Sequence, residues 1–175
     1  MGLKKGYIQI YTGNGKGKTT AAIGLAIRGV GAGLKVYIGQ FIKQMEYSEI
    51  SVLRNIDGVK LELYGTNGCI FHRPVNETDM QGVTRGLKRT LEVLRSGEYD
   101  IVILDEFTIP LSLGMLSEEQ VMEVLKAKPV KTELVITGRG APKWLIDEAD
   151  LVTDMEEVKH YYATGKVTSR KGIEV

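Results

Sequence analysis

The stretch YTGNGKGKTTAAIG, residues 11–24, joins an apolar run, YIQIY (7–11), to a helical pattern that opens at Lys18. Gly13, Gly15 and Gly17 alternate through it, and Gly-Lys-Thr closes it at 17–19. A Walker A loop reads Gly, four residues, Gly-Lys, then Ser or Thr. Thr12 stands at the first position here, and the alternating glycines compensate by letting consecutive backbone N–H groups turn inward around phosphate oxygens. The N-terminus of the following helix adds its partial positive charge. Lys18 is then placed to contact phosphate directly, with the Thr19 hydroxyl facing a Mg2+ ion. A preceding strand and a following helix are the context this motif requires, so the stretch reads as a phosphate loop rather than a plain turn.

Outward from the loop, short apolar runs alternate with longer helical patterns, as stacked βαβ units do. The strand expectations are YIQIY (7–11), KVYIGQFI (35–42), VKLELY (59–64), DIVILDE (100–106), ELVIT (133–137) and LVTDM (151–155). A first helix is expected from Lys18 to Val30, with Ile23, Ala26, Ile27 and Val30 on its core face and GAG (31–33) ending it. Asn76 with Asp79 caps a second, carrying Val83, Leu87, Leu91 and Leu94 at helical spacing. Ser117 with Gln120 reads as a capping box for a third, through about Lys126, and Pro142 opens a short fourth before Asp150. Trp144 on that helix is expected to pack against the sheet. Two segments lack a pattern: GTNGCIFHRPVNE (65–77), a candidate binding loop, and the C-terminal VKHYYATGKVTSRKGIEV.

The 175 residues suit one domain, 1–175, and the fold class that follows is α/β: a mainly parallel sheet of about six strands flanked by helices. Lys plus Arg (23) nearly balances Asp plus Glu (22), so overall charge advertises neither nucleic acid nor an acidic membrane. Cys69 is the only cysteine, which excludes an intramolecular disulfide and argues against a Cys-built zinc site. The N-terminus MGLKKGYIQIY has no apolar run long enough for a signal peptide or membrane span, and a cytoplasmic protein is expected.

The apolar run DIVILDE ends in two carboxylates. An acidic residue closing a buried strand is costly unless it is paired or near a cation, and beside a phosphate loop that cation is Mg2+. Asp105 and Glu106 are both placed for it. The bland alternative is that one of them only caps the next segment.

Taken together, TGNGKGKTTAA (12–22), Arg28-Gly-Val-Gly, QFIK (40–43), ILDEF (103–107), ITGRG (136–140), EAD (148–150) and VKH (158–160) resemble the P-loop type of ATP:corrinoid adenosyltransferase, the cob(I)alamin or cob(I)yrinic acid a,c-diamide enzyme. The resemblance spans nearly the whole chain, and the second loop lysine, Lys16, is more specific to it than a bare Gly-Lys-Thr. It implies a RecA-like parallel sheet with Mg-ATP at its carboxyl edge and a corrinoid above. Co(I) would attack the ribose 5′ carbon and the whole triphosphate would leave. ATP would lie reversed relative to most P-loop enzymes, so the loop holds a leaving group.

The resemblance also implies residue roles. Asn14 through Thr20 would cradle the triphosphate, with Gly13, Gly15 and Gly17 shaping the loop and Lys16 and Lys18 neutralising its charge. Thr19 and Glu106 would hold Mg2+, with Asp105 as neighbour or supporting partner. Arg28 would reach the phosphates or an adjacent acidic group, its bland alternative being a surface arginine. Co(I) implies an electron-donating reductase or flavoprotein as partner, and the family adds a homodimer. Two features depart from the family. Only Met1 to Gly6 precede the first strand, in place of a helical extension, so the lid that extension forms is expected to be absent. An aromatic pair on the corrinoid side aligns with Cys69 and Phe71, leaving one aromatic.

His72 in the same loop is placed to approach cobalt or a corrinoid amide, against the commoner role of a solvated loop histidine. Cys69 reads as a small packing residue, since no basic partner for a thiolate is identifiable. The run KVTSRKG (166–172) is basic enough to touch phosphates or corrinoid carboxylates, and equally reads as a solvated tail. Two rivals stay open: a small P-loop kinase or NTPase, with Arg139 of ITGRG as its charge-steadying arginine, and a RecA-like ATP-binding regulatory or nucleic-acid module. Balanced charge and the lack of an aromatic-basic strand pattern weigh against the second.

Overall fold

The computed structural model describes residues 2–42, 47–66, 70, 73–165 and 167–174. Six strands, β1 (Ile8–Thr12), β2 (Val36–Gln40), β3 (Val59–Leu63), β4 (Ile101–Asp105), β5 (Glu133–Thr137) and β6 (Leu151–Asp154), form one sheet in the order β3-β2-β4-β5-β1-β6. Every pairing is parallel, so the mainly parallel expectation becomes an all-parallel sheet. β2 and β4 are buried along their whole length, which is why they read as continuous apolar runs rather than alternating ones.

Successive strand residues feed opposite faces. On one face Ile10, Val102, Leu104, Leu134 and Ile136 pack with α3 (Glu77–Ser96) and α5 (Glu118–Ala127). On the other, Val36, Ile38, Ile101, Ile103 and Val135 pack with α1 (Lys18–Gly31) and α2 (Ser48–Leu53). Both expected capping boxes form: the Asn76 side chain accepts from the Asp79 N–H while Asp79 accepts from the Asn76 N–H, and Ser117 and Gln120 do the same for α5. Gly97, in the left-handed region, ends α3. Pro142 is the N-cap of α6 (Lys143–Asp147), whose Leu145 is fully buried and whose Trp144 packs against the core.

The face of α1 differs from the expectation. Ala22, Ala26 and Gly29 are buried, whereas Ile27 is 54% exposed. The helix lies so close to the sheet that a Cβ on Gly29 would come within 2.5 Å of Ile101 Cδ1. Small residues therefore face the sheet and the larger ones flank them. Three short helices carry no periodic signal: α2, α4 (Thr108–Ser112) and α7 (Tyr161–Gly165), the last inside the C-terminal segment read as irregular. Each is a turn or so long, below the window over which amphipathic spacing is legible. Among the described residues no helix is long and apolar enough to cross a membrane.

Candidate active site

Register brings the strand ends together. Gln40 pairs with Asp105 across β2 and β4, and Tyr11 with Thr137 across β1 and β5, so three connections leave one carboxyl edge beside the loop after β1. Ligands of open α/β sheets bind at that edge. A cleft of about 710 Å3 opens there. Loop residues Asn14 to Thr20 line it, as do Glu106 and Arg139.

Within the loop, Gly13 (φ 94°) and Gly17 (φ 118°) occupy conformations that side chains rarely adopt, which is what the glycine spelling requires. Gly17 is the N-cap of α1 and supplies no side chain, so the first-turn N–H groups of that helix present themselves to the cleft. Lys18 is 8% exposed and its Nζ donates to the carbonyl oxygens of Gly13 (2.8 Å) and Gly15 (2.7 Å). The ammonium is thereby held across the loop.

Thr19 and Asp105 meet directly: the Thr19 hydroxyl donates to Asp105 Oδ1 at 2.8 Å. Two more donors converge on this buried carboxylate, Thr137 Oγ1 on Oδ1 (2.6 Å) and Gln40 Nε2 on Oδ2 (3.0 Å). The Thr137 hydroxyl in turn accepts from the Glu106 N–H at 3.0 Å. Glu106 adopts φ 58°, a left-handed value that costs a non-glycine residue about 1–2 kcal/mol. That turn carries its side chain into the cleft lining rather than back along the strand. Gln40 Oε1, beside this network, is buried with no hydrogen-bond partner among the described residues. An isolated buried acceptor is costly. Gln40 and Thr137 lie in QFIK and ITGRG, and their convergence on Asp105 has no local sequence signal.

No cluster of three or more His, Cys, Asp or Glu capable of holding a metal occurs among the described residues. The oxygen donors at this edge are the Thr19–Asp105 pair and Glu106, and a Mg2+ ion needs only one or two protein ligands beside phosphate oxygens and water. Arg28 is exposed in the last turn of α1, about 15 Å along the axis from Lys18, and the structure does not bring it to the cleft.

Residues 4–175 match the sequence model of the family described as ATP:corrinoid adenosyltransferase BtuR/CobO/CobP. The chain belongs to that family. It is similar to the corrinoid adenosyltransferase of Escherichia coli (strain K12), 34% identical over 171 residues that cover 98% of this chain and 86% of that one. It is 35% identical over 171 residues to corrinoid adenosyltransferase CobA of Salmonella typhimurium, with the same coverage. The corrinoid adenosyltransferase of Pseudomonas aeruginosa is 32% identical over 173 residues, covering 98% and 84%.

The segment after β3 contains the candidate binding loop. Cys69, Phe71 and His72 lie outside the described residues. The positions flanking them are held by one carboxylate: Asp79, in the first turn of α3, accepts from the Thr66 hydroxyl and from both Arg73 terminal nitrogens, at 2.5 and 2.8 Å. The Arg73 guanidinium, with Thr66 and the Asn76 N–H, holds the Asp79 carboxyl well below the usual carboxylate range.

Proposed function

We propose that this chain transfers the 5′-deoxyadenosyl group of ATP to the Co(I) of a reduced corrinoid and releases triphosphate. The observation that carries the reading is the assembly, in a chain of this family, of a lysine-bridged glycine loop and the Thr19–Asp105 pair at one cleft on the carboxyl edge of the sheet. Loop N–H groups, Lys16 and Lys18 bind and orient the triphosphate. Thr19 and Glu106 would hold Mg2+, which when bound supplies positive charge to the triphosphate, while Asp105 fixes the Thr19 hydroxyl and leaves its lone pairs facing outward. The Co(I) electron pair forms the bond to C5′, and the bond from C5′ to the α-phosphate oxygen breaks with its electrons on the departing triphosphate. Negative charge builds on that oxygen, where the loop donors lie, and no proton has to be removed.

The acceptor is cobalamin, cobinamide or a cobyrinic acid derivative, and Phe71, Cys69 and His72 are the residues proposed to contact it. An electron-donating reductase or flavoprotein supplies Co(I), in a cytoplasmic setting, and the working unit is a homodimer. Phosphorus NMR of a reaction with Mg-ATP and chemically reduced corrinoid tests the reading: tripolyphosphate should grow in step with the light-sensitive adenosylated product. Arg139 lines the same cleft and favours a second reading, a P-loop NTPase. Stoichiometric ADP and phosphate, indifferent to corrinoid, would establish that one instead.

A further inference from the structure

The C-terminal segment leaves β6 in contact with the phosphate loop, the Gly15 N–H donating to the Met155 carbonyl at 2.6 Å. Beyond it, α7 and the turn at 170–174 form the opposite wall of the cleft. One carboxylate organises that wall. Glu174 accepts from Lys16 Nζ at 3.0 Å, from Arg170 Nη2 at 3.1 Å, from the Arg170 backbone N–H at 2.8 Å and from the Tyr161 hydroxyl. The Arg170 guanidinium also lies 4.9 Å over the Tyr161 ring, and Tyr161 OH is 3.4 Å from Lys16 Nζ. The Glu174 side chain lines the cleft and is 16% exposed. Hydrogen bonds, first from Arg170 and then from Tyr161, hold its carboxyl far below the usual range.

Lys16 is the second lysine of the loop, and Arg170 belongs to the basic run KVTSRKG. Both are bound to a single carboxylate on the wall of the cleft that receives a triphosphate. We propose that Glu174 competes with the triphosphate for Lys16 and Arg170, so that binding displaces the carboxylate and makes Arg170 a further triphosphate contact. This rests on the functional reading above. A carboxylate and a polyphosphate offer the same ligand chemistry to a cation, and the polyphosphate carries more charge, so the two cations exchange partners as it enters. Glu174, left beside like charge, has to withdraw, and it takes the C-terminal turn with it. An ordinary surface ion pair that only fastens the tail would act in the opposite direction, because losing it would loosen the wall that covers the ligand.

Calorimetric titration of the full chain with Mg-ATP, and separately with Mg-tripolyphosphate, distinguishes the two. Glu174→Gln should tighten both ligands by roughly three- to tenfold, the range of a partly exposed ion pair released for another partner. Arg170→Gln should weaken both by a similar factor. The gain from Glu174→Gln should shrink in a Lys16→Ala background, since one of the two released cations is then gone. Glu174→Gln binding that is unchanged or weaker overturns the competition, as does a gain undiminished by Lys16→Ala. Unchanged affinity in Arg170→Gln removes Arg170 from the triphosphate site. Wild-type protein that binds neither ligand overturns the functional reading itself, an outcome separate from these.

Discussion

Asp105 and Glu106 are neighbours in sequence with unlike surroundings. Asp105 is 2% exposed and receives three donors, so an asparagine there turns an NH2 toward groups that themselves donate. Asp105→Asn should therefore cost about 2 kcal/mol of stability in urea denaturation and release the Thr19 hydroxyl. Glu106→Gln should leave the denaturation midpoint nearly unchanged and raise the Mg2+ concentration needed for activity; an unchanged Mg2+ requirement would take Glu106 out of the metal site. Lys18→Ala removes a charge-assisted partner of the triphosphate worth about 1.5–3 kcal/mol, so ATP affinity should fall at least tenfold in a calorimetric titration. Near-normal affinity would remove the loop assignment. At this scale the sequence announced the loop, Lys18, Thr19 and the two carboxylates, because each sits in a local pattern. The partners of Asp105 were not legible in that way: Gln40 and Thr137 come from two other strands, and only register brings them together. Glu174 is further still, 158 residues from Lys16.

Among elements, α3 joins stability to the loop that follows β3. Its first turn contains Asp79, which completes the capping box and also receives Thr66 and Arg73 from two positions within the unpatterned loop. The side chain of Asp79 is 2% exposed, and removing its charge leaves Arg73 without its carboxylate, so Asp79→Asn should cost about 3 kcal/mol. The pH dependence has a definite sign. The folded-state carboxyl is depressed below its unfolded value, hence the unfolded chain binds the proton first as pH falls. The stabilisation is fully present above about pH 4 and is lost as pH drops through the folded-state value. Denaturation curves measured from pH 6 downward should therefore fall less steeply below pH 4 in Asp79→Asn than in wild type; parallel curves would show that the ion pair contributes little. The cap was readable because Asn76 and Asp79 are three residues apart. The sheet-facing side of α1 was not, since hydrophobicity favoured Ile27 whereas close approach to the sheet selected Gly29. Gly29→Val should consequently destabilise the fold although it raises hydrophobicity, because its Cβ meets Ile101 and overpacking of a close contact costs about 1–3 kcal/mol. A denaturation midpoint at or above wild type would contradict that packing.

For the whole molecule, the alternation of runs and helical patterns was enough to specify a layered parallel sheet, while strand order depends on crossovers that no window of sequence reports. The order places β1 between β5 and β6 and sends α1 across β5 and β4 to reach β2, so the loop after β1 is anchored to an inner strand and to a helix that packs on four strands. A ligand in that cleft would lie against the loop after β1, Glu106 just after β4, the start of α1 and the C-terminal wall at once. Binding energy should then stabilise the chain as a unit. At ligand concentrations about 100 times the dissociation constant the gain is about 2.7 kcal/mol, and for a chain of this length that raises the midpoint by roughly 5–10 °C. Calorimetric unfolding should show one transition, moved upward as a whole by Mg-ATP and by Mg-tripolyphosphate, with calorimetric and van't Hoff enthalpies equal. Lys18→Ala should unfold in the same single transition with most of the shift gone. Two transitions, only one of them responding to nucleotide, would divide the chain into separate units and restrict the site to one of them.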